Sequence, residues 1–593
     1  MSTENESTEE VVLTFPRANI VAVEAVSGVL ESTLGPLSRD TLIGTGQSRA
    51  QKQDPARPDM NEYTISSDGA TILEELPIEH PMGPVIRRLA GSERPGETAV
   101  VGEAIPDGVA STVVLLGALL QEAEALLELG VHPTTVEEGY QAGLECARRT
   151  MRSVARPVES FADPAATKEA VARSAMTGND VGNARETWAK LAVEAAERVG
   201  MPDEETLAVR QLRSGSIADS RLVRGTVLDR NEICSDLMPT RKEDASVLVL
   251  TGFKRGKAND GKTGGLQDPD IQRDDERIRI DSPDDVEAFD DVFVRWREEV
   301  VAGLVDAGVD VVVTRVGISD EYQELLAERG IIGVRGVNRL KLTQLARATG
   351  ATPVVDPTDV TASDLGHAGL VEQRTIDRRK GRRKRRRMVV FDECDDPESV
   401  TFLLRGVHGQ VAEQATTELR KATAAVAVAN GETIAPPGVL PGGGATELEV
   451  ATAIRERALA EHDRRQLALY AFADATDRFV STLARNAGMD PMQTVANLRE
   501  ATEHAEDDAQ RGLILPEKTI GDPYAFGVLD PVATRLECYV SAVEVAIRIL
   551  RVDDTLDATF SKEPTKPGDA IYDEHAEKHQ DYLEEKDDTI WHQ

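Results

Sequence analysis

Cysteine is scarce, with four in 593 residues. Cys146, Cys234, Cys394 and Cys538 lie far apart and form no CxxC pair. That spacing excludes a zinc ribbon and a disulfide framework and fits a reducing compartment. Aromatic residues make up only 4%, and of the 68 basic residues 16 are Lys and 52 Arg. Against them stand 104 acids, for a formal net charge of −36. Such a balance excludes a surface that generally seeks nucleic acid or membrane. Many carboxylates with few Lys and few large aromatics read as a protein kept soluble in a salty cytoplasm, where charge repulsion is screened. No apolar run is expected to reach the ~20 residues that cross a bilayer. The start, MSTENESTEE, is acidic and polar, unlike a secretory signal. The expectation is a soluble, cytoplasmic protein.

A chain this long exceeds one core and suggests about four domains. From about Ala18 to Val154 the pattern is helical and rich in Ala, Leu and Val. Val113 to Gly130 is apolar on nearly every face, which predicts a buried helix. A second helical block runs from about Gln410 to Arg551. Between them the texture changes to short β-branched runs, ASVLVLTG, VDVVVT, IIGVRG and ATPVVD, the later ones separated by the helical segments EYQELLAERG and LKLTQLARATG. That alternation reads as a parallel sheet with crossover helices. The pattern predicts an α/β unit inserted in a split helical one.

Five short segments join a glycine turn, or a turn carrying an Asp, to an apolar helical run: TLGP (Thr33 to Pro36), SDGATILEELPIEHP (Ser67 to Pro81), PDGVASTVVLLGALL (Pro106 to Leu120), VLPGGGATELEVA (Val439 to Ala451) and GVLDP (Gly527 to Pro531). Joints of this kind bring backbone N–H groups and carboxylates to a phosphate and its metal. Each alone is weak, since turn motifs have a high false-positive rate. In this order they resemble the group II chaperonins, of thermosome or TCP-1 type. SAMTGND, GSIADSRLVRGTVLD, VTASDLGHAGLVEQR, FADATDRFVSTLARNAGMDPMQTVANLR and ILRVDDTLDA extend the resemblance over about Ala18 to Ala558.

The resemblance implies a multidomain α and α/β chaperonin subunit: a mainly helical equatorial domain, a small α/β intermediate domain and an α/β apical domain. The expected boundaries are 1–17 for a flexible N-terminus, 18–153 equatorial, 154–222 intermediate and 223–370 apical, with a protrusion at about 253–300. After these come 371–407 intermediate, 408–558 equatorial and 559–593 an acidic polar tail. It also implies ATP or ADP with Mg²⁺ as cofactor, related subunits in a ring, non-native proteins as partners, and no membrane. By the same resemblance Leu34, Gly35, Pro36, Asp68, Gly69, Asp107, Gly108, Ser111, Gly443, Gly444 and Asp530 would meet the nucleotide. Within that set Asp68 would orient water near the γ-phosphate, Asp107 would bind Mg²⁺ and Asp530 would meet the ribose.

Several positions depart from the family pattern. The family Lys-Gly after TLGP is Leu37-Ser38. Two threonine hydroxyls after Asp107-Gly108 are replaced by Val109 and Ala110, and Pro106 removes one N–H. Aligning LLRG (Leu403 to Gly406) puts Lys421 where the family has an Asp that activates the attacking water, and Asn179 stands for its γ-phosphate Lys. An ammonium accepts no proton at neutral pH and does not ligate Mg²⁺. Losing one positioned catalytic group typically costs about a hundredfold, so weakened nucleotide binding and weak or lost hydrolysis are expected. A chaperonin compensated by other residues, and a scaffold or RNA-binding protein that has left folding, are the alternatives. Lys421 is further expected to ion-pair with Asp107, Asp68 or both, supplying the charge that a metal would.

Two other segments stand out. RRKGRRKRRR (Arg378 to Arg387) has nine basic residues in ten, but no aromatics interleave to stack bases. A solvated hairpin tip is therefore favoured over a nucleic-acid contact. Near Phe253 to Glu298, Phe289, Val292, Phe293 and Trp296 recur at helical spacing, as either a lid contact or a packed helix.

Overall fold

The computed structural model of the chain describes residues 17–44, 63–90, 107–176, 184–212, 215–229, 231–251, 265–267, 283–376, 386–407, 410–432, 436–505 and 510–552. Asn179, the stretch 94–106, most of the expected protrusion, most of the basic run and the tail lie outside the described residues.

The two ends of the chain build one helical core. Helices Arg17–Glu31, Val109–Glu128 and Pro133–Val154 pack with Ala445–Leu459, Arg465–Asn486 and Val532–Leu550. Local chemistry sets where several begin. Pro133 sits in the first turn behind a His132 cap, and Pro491 behind an Asp490 side chain that accepts from Gln493 N. Val109–Glu128 lies at the centre, against Arg17–Glu31, Arg465–Asn486 and Val532–Leu550. Leu115, Leu116, Leu119 and Leu120 are almost wholly buried there. Contrary to expectation, this helix is by length and apolarity long enough to cross a bilayer. Neighbouring helices cover its apolar faces instead.

A second core surrounds a three-stranded sheet. Its middle strand, Val400–Arg405, runs parallel to Leu207–Leu212 and antiparallel to Arg221–Val223. Helices Pro164–Ala175, Ala184–Val199 and Gln410–Asn430 pack on it. The last of these was expected within the final equatorial segment. Its Ala412, Ala415, Leu419 and Ala422 belong to this second core, because small side chains let the two other helices approach closely.

The third core is built on a six-stranded sheet in the order Val227–Leu228, Arg386–Asp392, Gly366–Ile376, Arg241–Leu250, Val311–Thr314, Ile332–Val334. The last three strands are parallel, as the alternating texture predicts, with Asp320–Glu328 as a crossover helix. The expected apical limit at residue 370 falls inside a strand. Leu370 pairs with Asp392 and the register runs unbroken to Ile376 and Arg386, so this sheet continues through Asp392. A break at 370 would strand the backbone groups of both arms. Arg386 and Arg387, the last two residues of the basic run, are strand residues. Helix Pro283–Asp306 carries part of the apolar stripe. Val292 and Trp296 on it are exposed, so these two do not pack in a core. The side chain of Phe289 is outside the described residues.

Candidate functional site

Loop-to-helix joints from the first and second cores converge on a cavity of about 160 Å³. The hairpin Thr41–Gly44 with Tyr63–Ser66 delivers Ser67, Asp68 and Gly69 to the start of a short helix. Asp68 caps that helix: its Oδ2 accepts from Thr71 N at 3.0 Å and from Thr71 Oγ1 at 2.7 Å. Asp107 and Gly108 open the central helix of the first core. Gly108 is left-handed, with φ 93°, and its N–H donates to Asp107 Oδ1 at 2.7 Å. A Cβ there would lie 2.6 Å from Cys538 Sγ, so only glycine fits.

The two helix starts touch. A Cβ on Gly69 would come within 2.8 Å of Ala110 N, a backbone atom with no freedom to yield. Gly69→Val should therefore lower stability by about 1–3 kcal/mol through overpacking, read as a lower denaturant midpoint with an unchanged slope. Thr33, Leu34 and Gly35 form a further wall. Asn486 fixes that turn by donating from Nδ2 to Leu34 O at 2.8 Å and Glu31 O at 2.7 Å.

Lys421 enters from the Gln410–Asn430 helix of the second core. Its Nζ donates to Asp68 Oδ1 in a short ion pair, and both side chains are largely buried. Burial alone would push the Asp68 carboxyl up, but the Lys421 ammonium and the two Thr71 donors together hold it below the usual carboxylate range. Burial likewise opposes the Lys421 charge, and Asp68, Glu418 and Asp107 outweigh it, so the ammonium is held strongly protonated. Asp107 differs. Its burial drives the carboxyl up, and Lys421 with the Gly108 N–H compensates only in part. The expected ion pair therefore forms with Asp68, while Asp107 feels Lys421 through charge alone.

A second ion cluster lies at the acidic end. Leu440 pairs with Asp530 across a two-stranded ladder, which places Asp530 at the cavity wall. Arg535, one turn on, donates to Asp530 Oδ2 from Nε at 3.1 Å and from a terminal nitrogen at 2.8 Å. It also faces Glu447 at 3.5 Å. Glu447 is 2% exposed. Burial pushes its carboxyl up, Arg535 partly offsetting this.

Of the residues singled out in the sequence, Leu34, Gly35, Asp68, Gly69, Asp107, Gly108, Ser111, Lys421 and Asp530 line the cavity. Pro36, Gly443 and Gly444 are not among the lining residues. Gly443 and Gly444 have φ of 65° and 82°, and Cβ atoms on them would strike Leu513 and Val480. They turn the chain tightly behind the wall. Lining residues missed in the sequence include Glu418, Arg535, Cys538 and Ser174. Glu418 was legible, because it lies three residues before Lys421 on one helix face.

Residues 26–559 match the TCP-1/cpn60 chaperonin family. The chain belongs to that family. It is 34% identical over 547 residues to the thermosome subunit beta of Aeropyrum pernix, covering 91% of each chain. It is 34% identical to the thermosome subunit alpha of Halobacterium salinarum, covering 91% of this chain and 88% of that one. The thermosome subunit of Methanopyrus kandleri is 32% identical, with 91% and 92% covered.

ATP with Mg²⁺ is the general cofactor of chaperonins of this family. The residues of this chaperonin do not fit a divalent ion between Asp68 and Asp107. One Asp68 oxygen holds the Lys421 ammonium, the other takes two donors from Thr71, and Asp107 Oδ1 takes the Gly108 N–H. The hydroxyl of Ser111 remains at the wall, beside the apolar Val109 and Ala110.

Proposed function

We propose that this chaperonin is a cytoplasmic ring subunit of thermosome type that binds non-native protein to assist folding. Its nucleotide binding is weakened and its ATP hydrolysis weak or lost. The single observation behind the second part is the Lys421 ammonium on Asp68. A group that activates water must be free to take a proton; Lys421, at the position of the family's water-activating Asp, accepts none, and it occupies Asp68, the water-orienting carboxylate, together with two Thr71 donors. The cavity also falls below the ~300–1,000 Å³ of ordinary small-molecule sites, at about 160 Å³.

Two measurements test this reading. Light scattering in molar salt should give a large ring, formed with itself or with related chaperonin subunits; a monodisperse monomer would count against it. Steady-state hydrolysis by the pure protein should be about a hundredfold or more below that of a chaperonin with the full motif, as expected for loss of a positioned catalytic group. Restoring the lost groups together, as Lys421→Asp with Val109→Thr and Ala110→Thr, should raise the rate. Unmodified protein that turns over as fast as the full-motif chaperonin would favour the compensated alternative.

A further inference from the structure

We infer that Lys421 is the resident cation of this cavity: its ammonium ties the second core to the first where a divalent ion would otherwise neutralise Asp68 and Asp107, so the folded subunit takes no metal there. The inference rests on the proposed reading of the cavity as a former nucleotide site.

Three observations carry it. First, Lys421 and its targets belong to different cores. The helix bearing Lys421 packs through Leu419, Ala422 and Ala425 into the second core. Asp68 and Asp107 stand at the starts of helices whose Ile72, Leu73, Val113 and Leu116 lie in the first. The ion pair is thus a strut across the cavity. Secondly, the coordination chemistry is already used. Mg²⁺ demands near-ideal octahedral oxygen geometry and neutral or anionic donors. Here Asp68 has its two oxygens engaged by Lys421 and Thr71. A divalent ion at Asp68 would also face an ammonium within a hydrogen bond's reach of the same carboxylate, and like charges so close repel. Thirdly, the other cation among the described lining residues is committed elsewhere. Arg535 binds Asp530 and faces Glu447. Lys421 is therefore the group that balances Asp68, with Glu418 and Asp107 adding to the negative field around it.

The probe is Mn²⁺ alone, without nucleotide, added to the full-length assembled protein in molar KCl so that the acid-rich surface is screened. Free Mn²⁺ is read by electron paramagnetic resonance, alongside melting with and without millimolar MgCl₂. The unmodified protein should show no tight Mn²⁺ site and no melting shift. Lys421→Asp should gain one site per chain, at least about tenfold tighter than any site in the parent, the size of change that ligand-sphere substitutions typically give. Asp107→Asn should abolish that gained site. If Lys421→Asp fails to fold, Lys421→Ala takes its place, with melting that now rises on adding Mg²⁺. A tight Mn²⁺ site in the unmodified protein that Asp107→Asn removes would overturn the inference. So would a folded Lys421→Asp that binds no more Mn²⁺ than its parent. Neither outcome depends on ATP turnover, so failure here is distinguishable from failure of the weak-hydrolysis reading.

Discussion

Lys421→Ala will unfold at a markedly lower denaturant concentration than the parent, by about 3–5 kcal/mol, the usual cost of removing one partner of a buried ion pair. The pair need not stabilise the fold relative to well-packed apolar residues. Its removal is costly because Asp68, 9% exposed at the side chain, keeps a charge with no counter-ion. The effect should depend on pH in one direction. The Asp68 carboxyl is held below its usual range in the folded protein. Its contribution is therefore fully present above the unfolded value of about 3.9 and lost as pH falls through the folded value. Parent and variant should differ most near neutrality and converge only as the pH falls through the folded Asp68 value, which lies below about 3.9. Equilibrium urea titrations at pH 7 and at about pH 2, below the window in which the Asp68 carboxylate is lost, in equal molar salt, read this directly. An equal gap at both pH values would mean that lost packing by the lysine stem, not lost charge, explains the effect.

The second large effect belongs to Arg535. Arg535→Ala should cost about 3–5 kcal/mol, because the guanidinium is the counter-charge of two acids. Asp530 is partly exposed and can turn to water, but Glu447 is 2% exposed. The residual charge problem is thus concentrated on Glu447. Arg535→Met combined with Glu447→Gln should recover much of the loss, since a neutral amide in that position needs no counter-ion. A double variant no better than Arg535→Ala would place the cost in the guanidinium's packing over Phe479, 5.2 Å from the ring centre.

The split helical core, the inserted α/β sheet and the walls carrying Asp68 and Asp107 were all legible in the sequence. Each rests on a local signal: helical or strand periodicity, or a glycine at a turn. What escaped is set by distant chain meeting distant chain. Nothing near Asp530 announces that Arg535 also faces Glu447, which arrives on another helix. The PGGGA segment carries the same glycine signature as the phosphate-type turns. Whether such a turn opens on a cavity or on a packed wall depends on Leu513 and Val480, which its own sequence does not reveal. Which core a segment joins is hidden for a related reason. A hydrogen-bonded hairpin and a helix rich in alanine look alike in sequence whichever core they join, and only pairing and packing assign them.

The central helix Val109–Glu128 has a bearing on how this protein is made. It emerges from the ribosome early, yet two of the helices that cover it, Arg465–Asn486 and Val532–Leu550, are synthesised near the end. At translation speeds of about 5–20 residues per second, its apolar faces wait roughly 20–80 s for their partners. Through that interval the nascent chain displays a segment greasy enough for a membrane. A chaperonin subunit built this way is itself, during its own synthesis, the kind of exposed chain that aggregates or needs sheltering.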